Sequence, residues 1–239
     1  LYGNYSEGFR SGTFNGRSGA QRAVQAVDPE QVENYELGFK SEWFGHRLRL
    51  NGAGFFTNYS DIQFISVEPD PAAGFIVFLR NTDEAEVYGF ELESVATLSD
   101  TFQVYANVGH THSEVTKIDP LLALSTGVDE GDQLRKAPEW TYALGGQYTL
   151  HTTFGRVIGR ADWNWQDDVS HEASNSPVAI EDSYGLLNLR LAWQSADDRW
   201  ELAGALRNAT DETFFNSLFL QGGTQGIAYP ARGREWSVS

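Results

Sequence analysis

Apolar and charged side chains alternate along extended stretches of this chain, and that alternation limits what the chain can fold into. In the stretch YELGFKSEW (35–43) one parity carries Tyr35, Leu37, Phe39 and Trp43, and the other carries Glu36, Lys40 and Glu42. Successive side chains of a strand point to opposite faces, so such a strand has one apolar face and one charged face. The pattern predicts an all-β chain that forms the wall of a transmembrane antiparallel β-barrel.

The connections between the alternating stretches are short and long in turn. Ten strands are predicted, at about 1–9, 30–43, 47–66, 75–97, 102–116, 137–150, 156–168, 183–194, 199–209 and 231–239. The long connections lie at about 10–29, 67–74, 117–136, 169–182 and 210–230. Outer-membrane barrels have short periplasmic turns and long extracellular loops, so strand 1–9 is expected to run outward. In strand 47–66 the apolar parity changes after Leu50, which predicts a β-bulge near Gly52 or Gly54.

The tryptophans provide a second indication of a membrane wall. Six tryptophans occupy apolar positions of the alternating pattern. Three of them lie beside short turns: Trp43, Trp193 and Trp200. The other three lie towards long loops: Trp140, Trp163 and Trp165. Two aromatic girdles are typical of barrels that cross a bilayer. The alternative is the core of a water-soluble β-protein, but such a core would not place charges opposite every apolar position. We therefore predict that Lys40, Arg49, Arg160 and Arg190 face the lumen, and that Leu37, Phe39, Leu144, Leu189 and Leu191 face lipid.

The composition excludes several classes of protein. The chain has 239 residues, no Cys, no Met and a net charge of −16, so disulfides and thiolate metal sites are excluded. The acidic balance argues against nucleic acid as a partner, and no apolar run is long enough for a transmembrane helix. Because residue 1 is not Met and both ends lie in strand-like sequence, the chain is expected to be a fragment of a longer protein.

Few residues suggest chemistry. His110 and His112 share one side of a strand, which fits half of a metal site or, as we favour, a strand end at the outer membrane rim. Acidic side chains in the long loops fit either a Ca²⁺ site or a solvated surface, and they show no fixed ligand spacing. Ser113 and Glu114 lack the glycine-framed turn of a nucleophile. We expect no catalytic residues, no metal site and no cofactor.

Several segments together resemble the barrel of TonB-dependent outer-membrane receptors. They are YGNYSEGFRSGTFN near the start, DPEQVENYELGFKSEWFGHRLRLNGAGFFTNYSDIQF (28–64), NTDEAEVYGFELE (81–93), APEWTYALGGQY (137–148) and SYGLLNLRLAWQSADDRWELAGALRNATDETFF (183–215). The resemblance implies a 22-stranded barrel around an N-terminal plug, with residues 1–239 as about its last ten strands. The plug, the first half of the barrel and the segment that contacts TonB would then lie outside this chain.

The resemblance also implies a function, which is active import of a scarce solute across the outer membrane, powered by TonB. A ferric siderophore is the expected solute because the family most often serves iron; a vitamin or a glycan remains an alternative. Three further functions stay open at this point: a passive porin-like channel, an outer-membrane hydrolase and a soluble β-rich binding module. The expected ligand contacts are loop residues with cationic or aromatic heads: Arg10, Phe14, Arg17, Arg80 and Tyr229.

Overall fold

Long antiparallel strands dominate the computed structural model, which describes residues 1–16, 20–72, 74–81, 84–221 and 225–239. The strands are β1 (Tyr2–Arg10), β2 (Thr13–Phe14), β3 (Ala26–Val27), β4 (Glu30–Trp43), β5 (Leu48–Ser60), β6 (Gln63–Asp70), β7 (Gly74–Asn81), β8 (Glu84–Ser99), β9 (Phe102–Lys117), β10 (Trp140–Thr152), β11 (Gly155–Gln166), β12 (Val169–Ser170), β13 (Ile180–Glu181), β14 (Tyr184–Ser195), β15 (Glu201–Arg207), β16 (Phe215–Gln221), β17 (Gln225–Pro230) and β18 (Glu235–Val238). One short helix, α1 (Pro120–Thr126), and two 3-10 turns, Gln21–Ala23 and Pro177–Ala179, complete the described elements.

Ten of the described strands form one antiparallel sheet, which we call the wall. Its order is β1-β4-β5-β8-β9-β10-β11-β14-β15-β18. Each wall strand pairs with the next wall strand along the chain, so the predicted number and order of ten wall strands are confirmed. The other described strands form two-stranded pairs within the long connections: β2 with β3, β6 with β7, β12 with β13 and β16 with β17.

The predicted strands 47–66 and 75–97 are each two strands, so the loop predicted at 67–74 is wrong. Wall strand β5 ends at Ser60, and Asp61 adopts a left-handed backbone with φ 55°. The chain then forms the β6–β7 hairpin before β8 begins at Glu84. Ile76 and Phe78 of this hairpin are buried against Ala23. A hairpin in a loop layer has the same two-residue period as a wall strand, so the pattern alone does not separate them.

The predicted bulge near Gly52 or Gly54 is also wrong. Both partners of β5 keep continuous register through these positions, with Phe39 and Leu92 opposite Gly52. A Cβ at Gly52 would lie 2.6 Å from Phe39 Cε1 and 2.8 Å from Leu92 Cδ2. The neighbouring side chains therefore cover the apolar face at Gly52, and no change of register is needed to place Phe55 on the other face.

Register fixes the two faces of the wall. Trp43, Leu48, Ala96, Val104 and Gly146 form one cross-strand row, and the next strands continue it with Ala161, Leu189 and Leu206. We call the side of this row the apolar face. Lys40, Arg49, Arg160 and Arg190 share the opposite side, the polar face, and Arg160 lies directly opposite Arg190. Among the described residues, no helix is both long and apolar enough to span a membrane.

Candidate ligand-binding loops and lumen surface

The long connections all lie at one end of the wall, because they join the same ends of consecutive wall strands. We name them L1 (11–29), L2 (61–83), L3 (118–139), L4 (167–183) and L5 (208–234). Short turns join the strands at the other end, as in the turn at 44–46, where Phe44, Gly45 and His46 all have positive φ. This arrangement gives the molecule a loop end and a turn end.

L1 and L2 are joined by amide side chains that bond to backbone. The Gln63 side chain, which is 8% exposed, donates from Nε2 to Ser11 O (3.0 Å) and Asp28 O (3.1 Å). Asn81 accepts from Asp28 N at 2.8 Å and donates to Asp28 O at 2.9 Å. Asn15 Nδ2 donates to Val77 O at 2.5 Å. Buried polar groups are stable only when hydrogen-bonded, so these contacts fix L1 on L2.

An apolar cluster joins L2 to L3 and L4. Val115, Ile118, Leu122 and Val128 are buried together at the top of β9 and in L3, and Phe64 of L2 and Ala173 of L4 pack against them. Asn175 Nδ2 also donates to Gln133 O at 2.9 Å, which links L4 to L3. The middle loops therefore share one small core outside the wall.

L5 is held by side chains of L3 and L4. Lys136 Nζ donates to Asn216 O at 3.2 Å, and Glu181 Oε2 accepts a hydrogen bond from Phe215 N at 3.2 Å. The Phe214 ring stacks on Tyr184 with centroids 4.6 Å apart. The five loops thus contact one another in series from L1 to L5 and form a layer over the loop end of the wall.

Two buried titratable groups lie within L4. His171 and Glu181 have side chains that are 6% and 7% exposed, and His171 Nε2 lies 4.0 Å from Glu181 Oε2. Burial lowers the pKa of His171, and the nearby Lys136 charge acts in the same direction. Burial raises the pKa of Glu181, the Phe215 amide opposes that change, and Asp182 adds to it. Both shifts favour the neutral form of a group removed from water.

The expected ligand contacts fall into two places. Arg10 ends β1 on the polar face, 4.0 Å from Glu30, and the Phe14 side chain is exposed in L1. The Arg80 guanidinium in L2 lies 4.4 Å from the Phe78 ring centroid. Tyr229 is exposed on L5, stacked on Phe219 at 5.9 Å. Arg17 lies outside the described residues. L1 and L2 hold three of the five residues, and Tyr229 lies on the loop at the other edge of the wall.

Charged residues of the polar face form local networks. Arg160 Nε lies 2.9 Å from Asp162 Oδ2, and the Tyr105 hydroxyl donates to the same carboxylate. Arg190 Nη2 lies 2.5 Å from Glu201 Oε1. Lys40 Nζ lies 5.7 Å from the Tyr2 ring centroid. At the turn end, Glu42 lies opposite Arg49 and contacts His46, and Arg47 lies 3.7 Å from Asp100.

His110 and His112 lie on the apolar face near the loop end, within aromatic contacts. His110 is 4.5 Å from the Trp140 ring centroid and 3.2 Å from Glu139 Oε1, and His112 is 4.8 Å from the Tyr88 ring centroid. No group of three or more His, Cys, Asp or Glu side chains within the described ranges has a metal-binding arrangement. Both histidines therefore lie among aromatic side chains, and their position at the outer membrane rim stays a prediction.

The sequence did not single out the buried amides and L4 titratable groups that hold the loops together. Asn81, His171 and Glu181 have polar neighbours in the sequence, and Gln63 lies between Ile62 and Phe64. The sequence does contain one indication of these contacts. Gln63 and Asn81 flank an apolar hairpin, where an amide side chain has little water to bind and needs a protein partner.

A ten-stranded antiparallel sheet with one apolar face, one polar face and long loops at one end is the wall of an outer-membrane β-barrel. The chain belongs to the TonB-dependent receptor β-barrel family, because a family model described as "TonB dependent receptor-like, beta-barrel" matches residues 1–209. Barrels of this family are outer-membrane proteins, and the family consists of transport receptors.

Similar proteins include receptors for iron chelates. The chain is 25% identical over 216 residues to the ferric-pyoverdine M114 receptor PbuA of Pseudomonas sp. (strain M114), which covers 87% of this chain and 24% of that protein. It is 25% identical over 188 residues to the ferric-pyoverdine 358 receptor of Pseudomonas putida, and this match covers 77% of this chain and 21% of that protein. The ferric yersiniabactin uptake receptor FyuA of Yersinia pestis superposes with a TM-score of 0.81 at 19% identity, over 99% of this chain and 33% of that one. The chain spans about a quarter or less of its curated relatives.

Proposed function

We propose that the full-length protein imports a ferric siderophore across the outer membrane, powered by TonB. The observation that carries this proposal is the similarity to two ferric-pyoverdine receptors over 77% and 87% of the chain. In this proposal residues 1–239 are about the last ten strands of a 22-stranded barrel. The plug, which fills the lumen and contacts TonB, is encoded upstream.

Within this proposal the polar face lines the lumen and the loop layer meets the ligand from outside the cell. Arg10 at the end of β1 and Arg80 in L2 are two of the proposed cationic contacts, and Arg17 is the third. An arginine fork can bond two oxygens of a carboxylate or catecholate chelate at once. Phe14 and Tyr229 are exposed and offer apolar contact to the chelate.

The test is uptake of an iron-labelled siderophore by cells grown under iron limitation. We expect uptake that depends on the gene, stops when TonB is deleted, and saturates with substrate. Arg80→Gln should weaken uptake, whereas the matched Arg199→Gln, in an exposed turn at the opposite end of the wall, should not. Uptake that continues without TonB would favour a passive channel. Growth on a vitamin or a glycan that depends on the gene, without any response to iron, would contradict the iron assignment.

A further inference from the structure

Two ionisable side chains contact the base of L5, beside the stacked rings of Phe214 and Tyr184. Consecutive residues of L5 provide the contacts: Phe215 N donates to Glu181, and Asn216 O accepts from Lys136. The β16–β17 hairpin follows at once from this base. The charges of Glu181 and Lys136 therefore lie in direct contact with the backbone from which the hairpin begins.

His171 lies beside this attachment without a complete set of partners. Its Nε2 is 4.0 Å from Glu181 Oε2, beyond a hydrogen bond, and its buried Nδ1 has no hydrogen-bond partner. Its backbone is fixed, because His171 N donates to Ala179 O at 2.9 Å and Ala179 is fully buried. A neutral imidazole leaves only one ring N–H to satisfy, whereas an imidazolium adds a second buried donor.

The titratable and charged groups that face this pair come from L3, L4 and the first residue of β14. The positive charge of Lys136 in L3 lowers the pKa of His171. Asp182 and Tyr184 lie near Glu181. L5 presents the backbone groups of Phe215 and Asn216. A proton on His171 would place a second positive charge near Lys136. The imidazolium would also compete with Phe215 N for the Glu181 carboxylate. Both effects weaken the attachment of L5.

We propose that the His171–Glu181 pair is an acid-responsive latch that holds the β16–β17 hairpin on L4 while His171 is neutral and releases it when His171 takes up a proton. This inference goes beyond the proposed transport function and is tested without any ligand. Tyr229 lies on the hairpin, so release would also displace one of the proposed ligand contacts.

The two pKa shifts predict how the docking of L5 on L4 changes with pH. The pKa of His171 is lower in the closed loops than in an open one, so docking is at full strength above about pH 6.5 and weakens as the pH falls below it. The pKa of Glu181 is raised, so the cost of burying its carboxylate is relieved on acidification, which opposes release. We therefore expect His171 to control the response between about pH 7.5 and pH 5.5.

The experiment measures the distance between L4 and L5 in the full-length receptor in lipid. Spin labels are placed at Val178→Cys and Ala228→Cys, two exposed positions, in a cysteine-free background. We expect one narrow distance distribution at about pH 7.5 and a second, longer one at about pH 5.5. The released population should increase by at most about tenfold per pH unit, because one proton is taken up.

Variants and a second label pair identify the group responsible. His171→Gln should abolish the acid response, and Glu181→Gln, which keeps an acceptor for Phe215 N, should retain it. Labels at Val24→Cys and Ile65→Cys, exposed positions of L1 and L2, should give the same distance at both pH values. A distance between L4 and L5 that does not change with pH, or a response that survives in His171→Gln, would overturn the latch. Neither of these two results would contradict the proposed import of an iron chelate.

Discussion

Leu189 and Arg190 are neighbours in sequence and lie on opposite faces of β14. Leu189 pairs with Ala161 and Leu206 in an apolar row, and Arg190 contacts Glu201 on the polar face. These two adjacent side chains thus have different neighbours, apolar for Leu189 and charged for Arg190. The same contrast holds for Phe39 and Lys40 on β4.

We expect Leu189→Arg to destabilise the full-length receptor in lipid vesicles by roughly 2–4 kcal/mol if the position lies near mid-bilayer. The reason is that an arginine on the lipid face loses its hydration. Arg190→Gln is the matched control and should have a much smaller effect, since its ion pair is half-exposed. The free energy of unfolding, measured by denaturant titration in vesicles, checks both. Equal costs, or a larger cost for Arg190→Gln, would show that the assignment of the two faces is wrong.

Close strand pairing at Gly89 gives a second residue-scale prediction. A Cβ at Gly89 would lie 1.9 Å from His110 O, whereas one at Gly204, also in a wall strand, would meet nothing within 4 Å. Gly89→Ala should therefore separate β8 from β9 locally and lower the yield of folded receptor, and Gly204→Ala should not. Heat-modifiable migration on gels measures the folded fraction. Normal folding of Gly89→Ala would contradict the close approach of these strands.

At the scale of elements, the sequence predicts wall strands better than loop structure. β4 and β14 are predicted because one face of each is apolar and the other is charged, and that contrast leaves a clear period of two. The β6–β7 hairpin has the same period for a different reason, burial against Ala23, so the pattern merges it with the neighbouring wall strands. The loop contacts of Gln63 and Glu181 depend on residues far away in sequence, which no local pattern reports.

The L1–L2 junction gives a prediction at this scale. Gln63→Ala would remove the Gln63 donor to Ser11 O and one of the two amide donors to Asp28 O, leaving Asn81 as the other, at a cost of about 1–3 kcal/mol to the docking of L1. We expect faster tryptic cleavage after Arg22 in intact cells or vesicles, identified by mass spectrometry. The exposed Gln21→Ala is the control. Unchanged cleavage after Arg22 in Gln63→Ala would show that Gln63 does not hold L1.

At the scale of the whole molecule, the wall has two edges that no described strand covers. β1 and β18 each pair with one wall strand only. Unpaired backbone groups at a sheet edge are not tolerated in lipid, so the wall needs further strands to close. We predict that residues 1–239 expressed alone do not form a stable monomer without detergent. A cooperative thermal unfolding transition of a detergent-free monomer would contradict this.

The central claim is that the apolar face of the wall contacts lipid and the polar face lines the lumen. The most direct measurement is a spin-label scan along β14, from Leu186 to Trp193, in the full-length receptor in lipid, comparing accessibility to oxygen and to a water-soluble nickel chelate. We predict alternation with a period of two, with oxygen accessibility highest at Leu187, Leu189, Leu191 and Trp193. Accessibility without that period, or with its maxima at Asn188 and Arg190, would contradict the account.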